Sequence, residues 1–196
     1  MKKSTFLFLA LLAGTISLNA QIYKGTKNKI SFFSYTAMEN ISAEDTIATM
    51  ILNAKTGDVI ANIGMKGFVF PNSLMQSHFN EDYMETDLAG PKDAAGKVTY
   101  PNRNASFKGK INEVVDYTKD GTYPITITGT LTMHGVAQPR TINATMIVKG
   151  NTATLDSKFA VALVDHKIKV PEAVGTKIAE KIDVTVHTVL IDTTKK

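Results

Sequence analysis

The side chains that could carry chemistry in this chain are few, because it has no cysteine and only four histidines. The histidines are His78, His134, His166 and His187, and no two of them stand at the spacing of a metal-binding pair. The sequence therefore predicts no metal site, and no motif requires a cofactor. His166 and His187 are expected to face solvent, and His187 falls on the polar side of an alternating segment.

Catalytic motifs built on other residue types are also missing. There is no Gly-x-Ser-x-Gly elbow for a serine nucleophile and no glycine-rich loop that could cradle a phosphate. Asp82 and Glu85 stand near the end of a predicted helix, where solvated or capping carboxylates are expected. The residue pattern favours a binding protein over an enzyme.

The elements that must position any site are strands, and the segment from Tyr123 to Val148 predicts them most clearly. Apolar residues take alternate positions in it, which places them on one face of a pleated strand. They are Ile125, Ile127, Leu131 and Met133, followed after an interruption by Ile142, Ala144, Met146 and Val148. The interruption, His134 to Pro139, has turn chemistry. The segment therefore predicts an antiparallel hairpin with one apolar face.

Similar alternation or apolar character recurs along the chain and predicts an all-β fold. The other predicted strands cover residues 30–35, 46–52, 59–63, 105–117, 155–163 and 182–190. Gly57 marks a hairpin turn between the second and third of these, and Asp120-Gly121 marks the turn into the hairpin described above. About eight short strands without βαβ alternation favour a closed antiparallel barrel or a sandwich.

One or two short helices interrupt the strands. Residues 72–84 have apolar side chains at helical spacing after Asn72, which is a good N-cap. This segment is interpreted either as a lid packed on the sheet or as the mobile wall of a ligand cavity, since methionine adapts to irregular shapes. Residues 172–181 predict a second helix behind Pro171, and residues 87–97 predict an exposed loop that is an insertion or a cavity rim.

The first twenty residues predict a signal peptide. Lys2 and Lys3 precede an unbroken apolar run from Phe6 to Ala13, and cleavage is expected after Ala20. Residues 21–196 then form one domain, which is expected in the periplasm or outside the cell. No later segment is long and apolar enough to predict a membrane-spanning helix.

The charge of the chain does not predict a nucleic-acid partner. Its 22 basic and 18 acidic residues give a net charge of +4, and loss of Lys2 and Lys3 would leave +2. This excess is small and its lysines and arginines are not clustered, unlike those of proteins that bind nucleic acids.

Four stretches carry a resemblance to a known family. The most distinctive runs from Gly129 to Val136 with Pro139, and the others are Leu74 to Glu85, Tyr100 to Gly109, and Phe159 to Pro171. Together they resemble the YceI-like family of exported, lipocalin-like barrels associated with polyisoprenoid lipids. The resemblance covers nearly all of residues 21–196 and implies an eight-stranded antiparallel barrel.

The resemblance also implies a site, since an isoprenoid tail would lie in the apolar interior of such a barrel. The expected ligand is an isoprenoid lipid of the quinone or polyprenyl phosphate type, with a transient membrane contact and a homodimer as further expectations. The residues expected to bind it are Phe32, Phe68, Phe70, Leu74, Met75, Phe79, Tyr83, Met84, Phe107, Ile111, Ile125, Ile127, Leu131, Met133, Phe159, Val161, Leu163 and Val184.

Alternatives remain open at this point. Alternation alone is equally typical of apolar residues that simply fill a core, which would make the barrel a docking surface in the response to envelope stress. An enzyme or enzyme subunit that uses a bound quinone is the other alternative. His134 is expected to fix its turn by hydrogen bonding to the backbone, with a contact to a polar head group as the second option.

Overall fold

The structure, a computed structural model, describes residues 21–194. The predicted signal peptide lies outside the described residues. Within residues 21–194, no helix has the length and apolar character needed to span a bilayer.

Nine strands form a single antiparallel sheet, and pairing between its first and last strands closes it into a barrel. The strands are β1 (Ile22–Tyr35), β2 (Asn40–Asp45), β3 (Thr49–Asn53), β4 (Asp58–Gly64), β5 (Asn104–Ile111), β6 (Gly121–Met133), β7 (Val136–Lys149), β8 (Thr152–Ala162) and β9 (Lys181–Asp192). Both β2 and β3 pair with the long strand β1 and occupy one position in the wall. The predicted eight-stranded antiparallel barrel is therefore confirmed.

A short break between β2 and β3 corrects the strand predicted over residues 46–52. The Asp45 carboxylate accepts hydrogen bonds from the backbone N–H groups of Ile47 and Ala48, at 2.6 and 2.8 Å. These bonds replace strand pairing at the break, because a short acidic side chain competes with the backbone for donors. The strand starts at Thr49, and β2 before it was not predicted.

One end of the barrel is packed solid. Turns, a loop and the two ends of the described chain meet there, around a core that includes Tyr23, Leu52 and Leu190, all fully buried. Tyr117 belongs to this core, with its ring 5.3 Å from the ring of Tyr23. The prediction that the strand from residue 105 continues to Tyr117 is wrong. The chain leaves the sheet after Ile111 and turns Tyr117 inward as a plug.

The opposite end carries the helical segment. Helix α1 (Ser73–His78) begins at Asn72, whose side chain accepts hydrogen bonds from the N–H groups of Leu74 and Met75, as predicted. A π-helical turn, Phe79–Tyr83, continues it. The second predicted helix, over residues 172–181, is wrong. Only Glu172–Val174 is helical, as a single 3-10 turn, and Gly175 with its low helix propensity follows at once.

Candidate functional site

A cavity of about 460 Å³ occupies the barrel between its packed end and the helical segment. Its walls are the inward-facing positions of the strands, together with the inner side of α1 and the π-helical turn. This volume lies within the range of about 300 to 1,000 Å³ that is usual for small-molecule sites. The exposed residues of its lining include Leu74 and His78 on α1 and Lys177 in residues 174–178, so we take this end as the mouth of the cavity. Glu39, at the tip of the β1–β2 hairpin, borders the same end.

All but two of the residues predicted to contact a ligand line this cavity. Ile111 and Ile125 are the exceptions: they are buried but lie nearer the packed end, in the solid part of the core. Their alternation placed them on the correct face of the sheet but could not show where along the barrel the hollow part begins. The predicted residues that line the cavity are Phe32, Phe68, Phe70, Leu74, Met75, Phe79, Tyr83, Met84, Phe107, Ile127, Leu131, Met133, Phe159, Val161, Leu163 and Val184.

Four phenylalanine rings attach the helical segment to the barrel wall. The ring of Phe79, from the π-helical turn, stacks on Phe32 with 5.5 Å between centroids and lies 5.1 Å from Phe70. Phe68 lies 5.3 Å from Phe32 and completes the cluster. Such ring pairs contribute about 0.5 to 1.5 kcal/mol each beyond their buried area. The segment is therefore a packed wall of the cavity.

Methionine side chains line much of the remaining surface. Met50, Met65, Met75, Met84 and Met133 all border the cavity. Methionine is unbranched and polarisable, so it can rearrange around guests of different shape. This lining can adapt to a flexible apolar chain without a large change in the barrel.

Two serine hydroxyls in the cavity lining are already hydrogen-bonded. Ser34 Oγ accepts a bond of 2.9 Å from the backbone N–H of Ala179, and Ser157 Oγ donates a bond of 2.8 Å to the carbonyl of Asn143. These two serines are the only serines among the described residues of the cavity lining. An apolar guest would therefore bury neither hydroxyl without a partner.

Three ionisable residues of the lining were not among the residues predicted to bind a ligand. Glu39 borders the cavity from the tip of the β1–β2 hairpin, Lys177 from the segment before β9, and His78 from the end of α1. Glu39 lies outside every predicted strand and helix, and Lys177 lies in a segment that was predicted to be helical without any link to the cavity. Their position at the mouth follows only from the fold.

The turn between β6 and β7 is held by two interlocked histidines. Its two residues, His134 and Gly135, have φ values of 51° and 69°, in the left-handed region that suits a tight hairpin. His134 Nδ1 donates to the carbonyl oxygen of His166 at 3.1 Å, which confirms the predicted bond to the backbone. Its Nε2 lies 3.1 Å from Glu85 Oε2, so the same ring also ties the turn to the helical segment.

The prediction that His166 faces solvent is wrong, since its side chain is fully buried. Its Nδ1 donates to the carbonyl oxygens of Val136 at 3.1 Å and Met133 at 3.3 Å, on either side of the turn. Burial lowers the pKa of this imidazole, which outweighs the opposing effect of the two carbonyls. His187, in contrast, is half exposed beside Asp156, as expected.

Replacing His166 with asparagine is expected to reduce the pH dependence of folding stability. The native pKa of His166 is lower than that of the unfolded chain, so the unfolded state takes up the proton first as pH falls. The wild type should therefore lose stability below the ordinary histidine pKa of about 6.5, until the native pKa is reached. The amide of asparagine can keep the donor of Nδ1 but does not titrate.

Urea unfolding at several pH values between neutral and moderately acidic checks this expectation. His187→Asn removes a histidine that is half exposed and is the matched control. Equal pH slopes for the wild type and His166→Asn would contradict the role given to the buried ring.

Comparison with known proteins identifies a family that shares this sequence pattern. A family model described as the YceI-like domain matches residues 25–190. No curated protein sequence matches the chain. The match to the family model therefore carries the assignment at the level of sequence.

Several solved structures share the barrel at low sequence identity. A polyisoprenoid-binding domain from Saccharophagus degradans, implicated in plant cell wall breakdown, has a TM-score of 0.66 and 11% identity, over 89% of this chain and 99% of that one. BcnA from Burkholderia cenocepacia has a TM-score of 0.63 and 19% identity, over 83% of this chain and 95% of that one. A Campylobacter jejuni YCEI protein has a TM-score of 0.52 and 12% identity, over 96% of this chain and 97% of that one.

These likenesses show a common fold, and the family model adds the sequence relationship. The family match begins within β1 and ends within β9, so it includes all or part of every strand described above. The chain therefore belongs to the family of proteins that contain a YceI-like domain.

Proposed function

We propose that this protein is an exported lipid-binding protein that holds an isoprenoid lipid in its barrel. The observation that carries the proposal is the hollow half of the barrel, whose lining is almost wholly aliphatic, aromatic or methionine. A prenyl chain offers only carbon and hydrogen, so its affinity must come from apolar burial, at about 25 cal/mol for each Å² removed from water. The structural neighbour from Saccharophagus degradans, described as polyisoprenoid-binding, supports the same class of ligand.

The cavity favours binding over the two alternatives. A barrel that served only as a docking surface would have a solid core along its whole length, whereas this one is solid at one end only. Catalysis by His134 is not favoured either, because both its ring nitrogens are engaged in holding the β6–β7 turn. Holding or carrying a lipid, without chemical change, is the activity that this lining supports best.

The mouth of the cavity supports a transient contact with a membrane. Tyr35 and Met38, at the tip of the β1–β2 hairpin, and Leu74, on α1, are large apolar residues that stay exposed. Leu74 lines the cavity, and the hairpin tip that carries the other two borders its mouth. Contact of these side chains with a bilayer would let an apolar chain enter the barrel without crossing water.

Mass spectrometry after solvent extraction tests the proposed function. The protein is purified without added lipid from cells that make isoprenoid quinones, extracted with organic solvent, and the extract is analysed for prenyl lipids. A prenyl lipid is expected in a ratio approaching one per barrel, and the stripped protein should take up added quinone. Repeated absence of prenyl lipid, together with no uptake of quinone, would overturn the proposal.

A further inference from the structure

The described residues at the mouth of the cavity carry no net positive charge. Among the described residues that line the cavity, the ionisable acids and bases other than tyrosine are Glu39, Lys177 and His78. Lys177 Nζ lies 3.9 Å from Glu39 Oε2, and His78 Nδ1 lies 2.6 Å from Asp82 Oδ2. Each basic group is thus already matched by a carboxylate.

Glu39 is also more buried than Lys177, its partner in the ion pair. The side chain of Glu39 is 29% exposed, whereas that of Lys177 is 50% exposed. A charge nearer the protein interior is less screened by water and salt than one nearer the surface. A head group at the mouth would therefore meet the negative charge of Glu39 more strongly than the positive charge of Lys177.

Tyr83, on the cavity wall, is affected by the same negative charges. Burial raises the pKa of its hydroxyl, and the nearby charges of Asp82 and Glu39 raise it further. The hydroxyl therefore stays neutral and can donate a hydrogen bond to an uncharged oxygen. It supplies no positive charge for an anion.

We propose that Glu39 makes the mouth select lipids with an uncharged head group, such as a ketone or hydroxyl, over lipids that end in phosphate or diphosphate. The inference rests on the proposed function, since it concerns the head group of a lipid whose tail lies in the cavity. Phosphate recognition in proteins relies on arginine and lysine clusters or on free backbone N–H groups. The one lysine among the described lining residues is already paired with the Glu39 carboxylate, and selection by like-charge repulsion is a common source of specificity.

Calorimetric titration with three ligands that share one tail tests the inference. The probes are geranylgeraniol, its monophosphate and its diphosphate, each titrated into the stripped full-length domain at low salt. We expect geranylgeraniol to bind at least about tenfold more tightly than the diphosphate, with the monophosphate between them, because each added charge is repelled by Glu39.

Glu39→Gln is the decisive variant, since glutamine keeps the size of the side chain and removes its charge. It leaves Lys177 without its carboxylate partner, so the affinity for the diphosphate relative to that for geranylgeraniol should rise severalfold. Glu81→Gln is the matched control, because Glu81 is an exposed acid of the π-helical turn that does not line the cavity. This control should change neither affinity appreciably.

Two results would overturn the inference. The first is diphosphate binding as tight as that of geranylgeraniol in the wild type. The second is an equal gain in diphosphate affinity for Glu39→Gln and Glu81→Gln, which would assign the effect to net charge alone. If none of the three probes binds, including the uncharged one, then the proposed function itself fails and the inference with it.

Discussion

Replacing Ala61 with phenylalanine is expected to abolish lipid loading while the barrel stays folded. Ala61 is a buried residue of β4 that lines the cavity, and it is paired with Met50 on one side and Phe107 on the other. A phenyl ring added there projects into the hollow space and displaces about one isoprene unit of the tail. Since each buried CH₂ is worth about 0.8 kcal/mol, the affinity for a prenyl lipid should fall on the order of a hundredfold or more.

Ala153→Phe is the matched control for this experiment. Ala153 is equally small, lies on β8 and is fully buried, but it belongs to the solid part of the core and does not line the cavity. Overpacking there should lower the free energy of unfolding by about 1 to 3 kcal/mol, whereas Ala61→Phe should cost much less. Denaturant unfolding and lipid content measured on both variants give the comparison. Normal lipid content in Ala61→Phe would contradict the assignment of the cavity as the lipid site.

Replacing Gly129 with alanine is expected to destabilise the barrel severely. Gly129 on β6 faces Gly109 on β5, and the two strands approach so closely that an added Cβ would lie 2.3 Å from the carbonyl oxygen of Lys108. It would also lie 2.4 Å from the Cα of Gly109. Both of these neighbours are backbone atoms, which cannot move aside as a flexible side chain could. The strands must separate to admit it. We expect a loss of about 3 kcal/mol or more, at the upper end of overpacking costs.

Gly150→Ala controls for the loss of glycine as such. Gly150 has a φ of 57°, but no atom lies within 4 Å of the position its Cβ would take. The only cost there is the left-handed backbone, about 1 kcal/mol. Urea unfolding of both variants measures the difference, and equal destabilisation would show that the close approach of β5 and β6 is not what requires glycine at position 129.

Much of the barrel could be predicted from the sequence because its signals are local. The alternation around Ile125 and Ile142 fixes which side chains face inward, and Gly57 marks a turn that the structure contains. The helical segment was predicted for the same reason, since Asn72 and the apolar spacing after it are readable without knowledge of the fold.

The features that were missed depend on contacts between distant parts of the chain. His166 is buried because it reaches the carbonyl of Met133, some thirty residues away, and nothing beside it in the sequence indicates this. Glu39 and Lys177 meet only because the barrel brings the β1–β2 hairpin and the segment before β9 to the same mouth. The boundary between the solid and hollow halves of the barrel also depends on contacts between distant parts of the chain. It depends on Tyr117 folding into the barrel from a loop that was predicted to be strand.

The pairing of β1 with β9 affects the order in which the barrel can fold. The strand that closes the barrel is the last of the nine described strands to be synthesised, and its partner is the first of them. Contacts this distant in sequence form slowly, since the whole intervening chain must be ordered first. Until β9 arrives, β1 has a free edge and the methionine-rich interior is open to water. The barrel therefore stays open until β9 has been synthesised and has paired with β1.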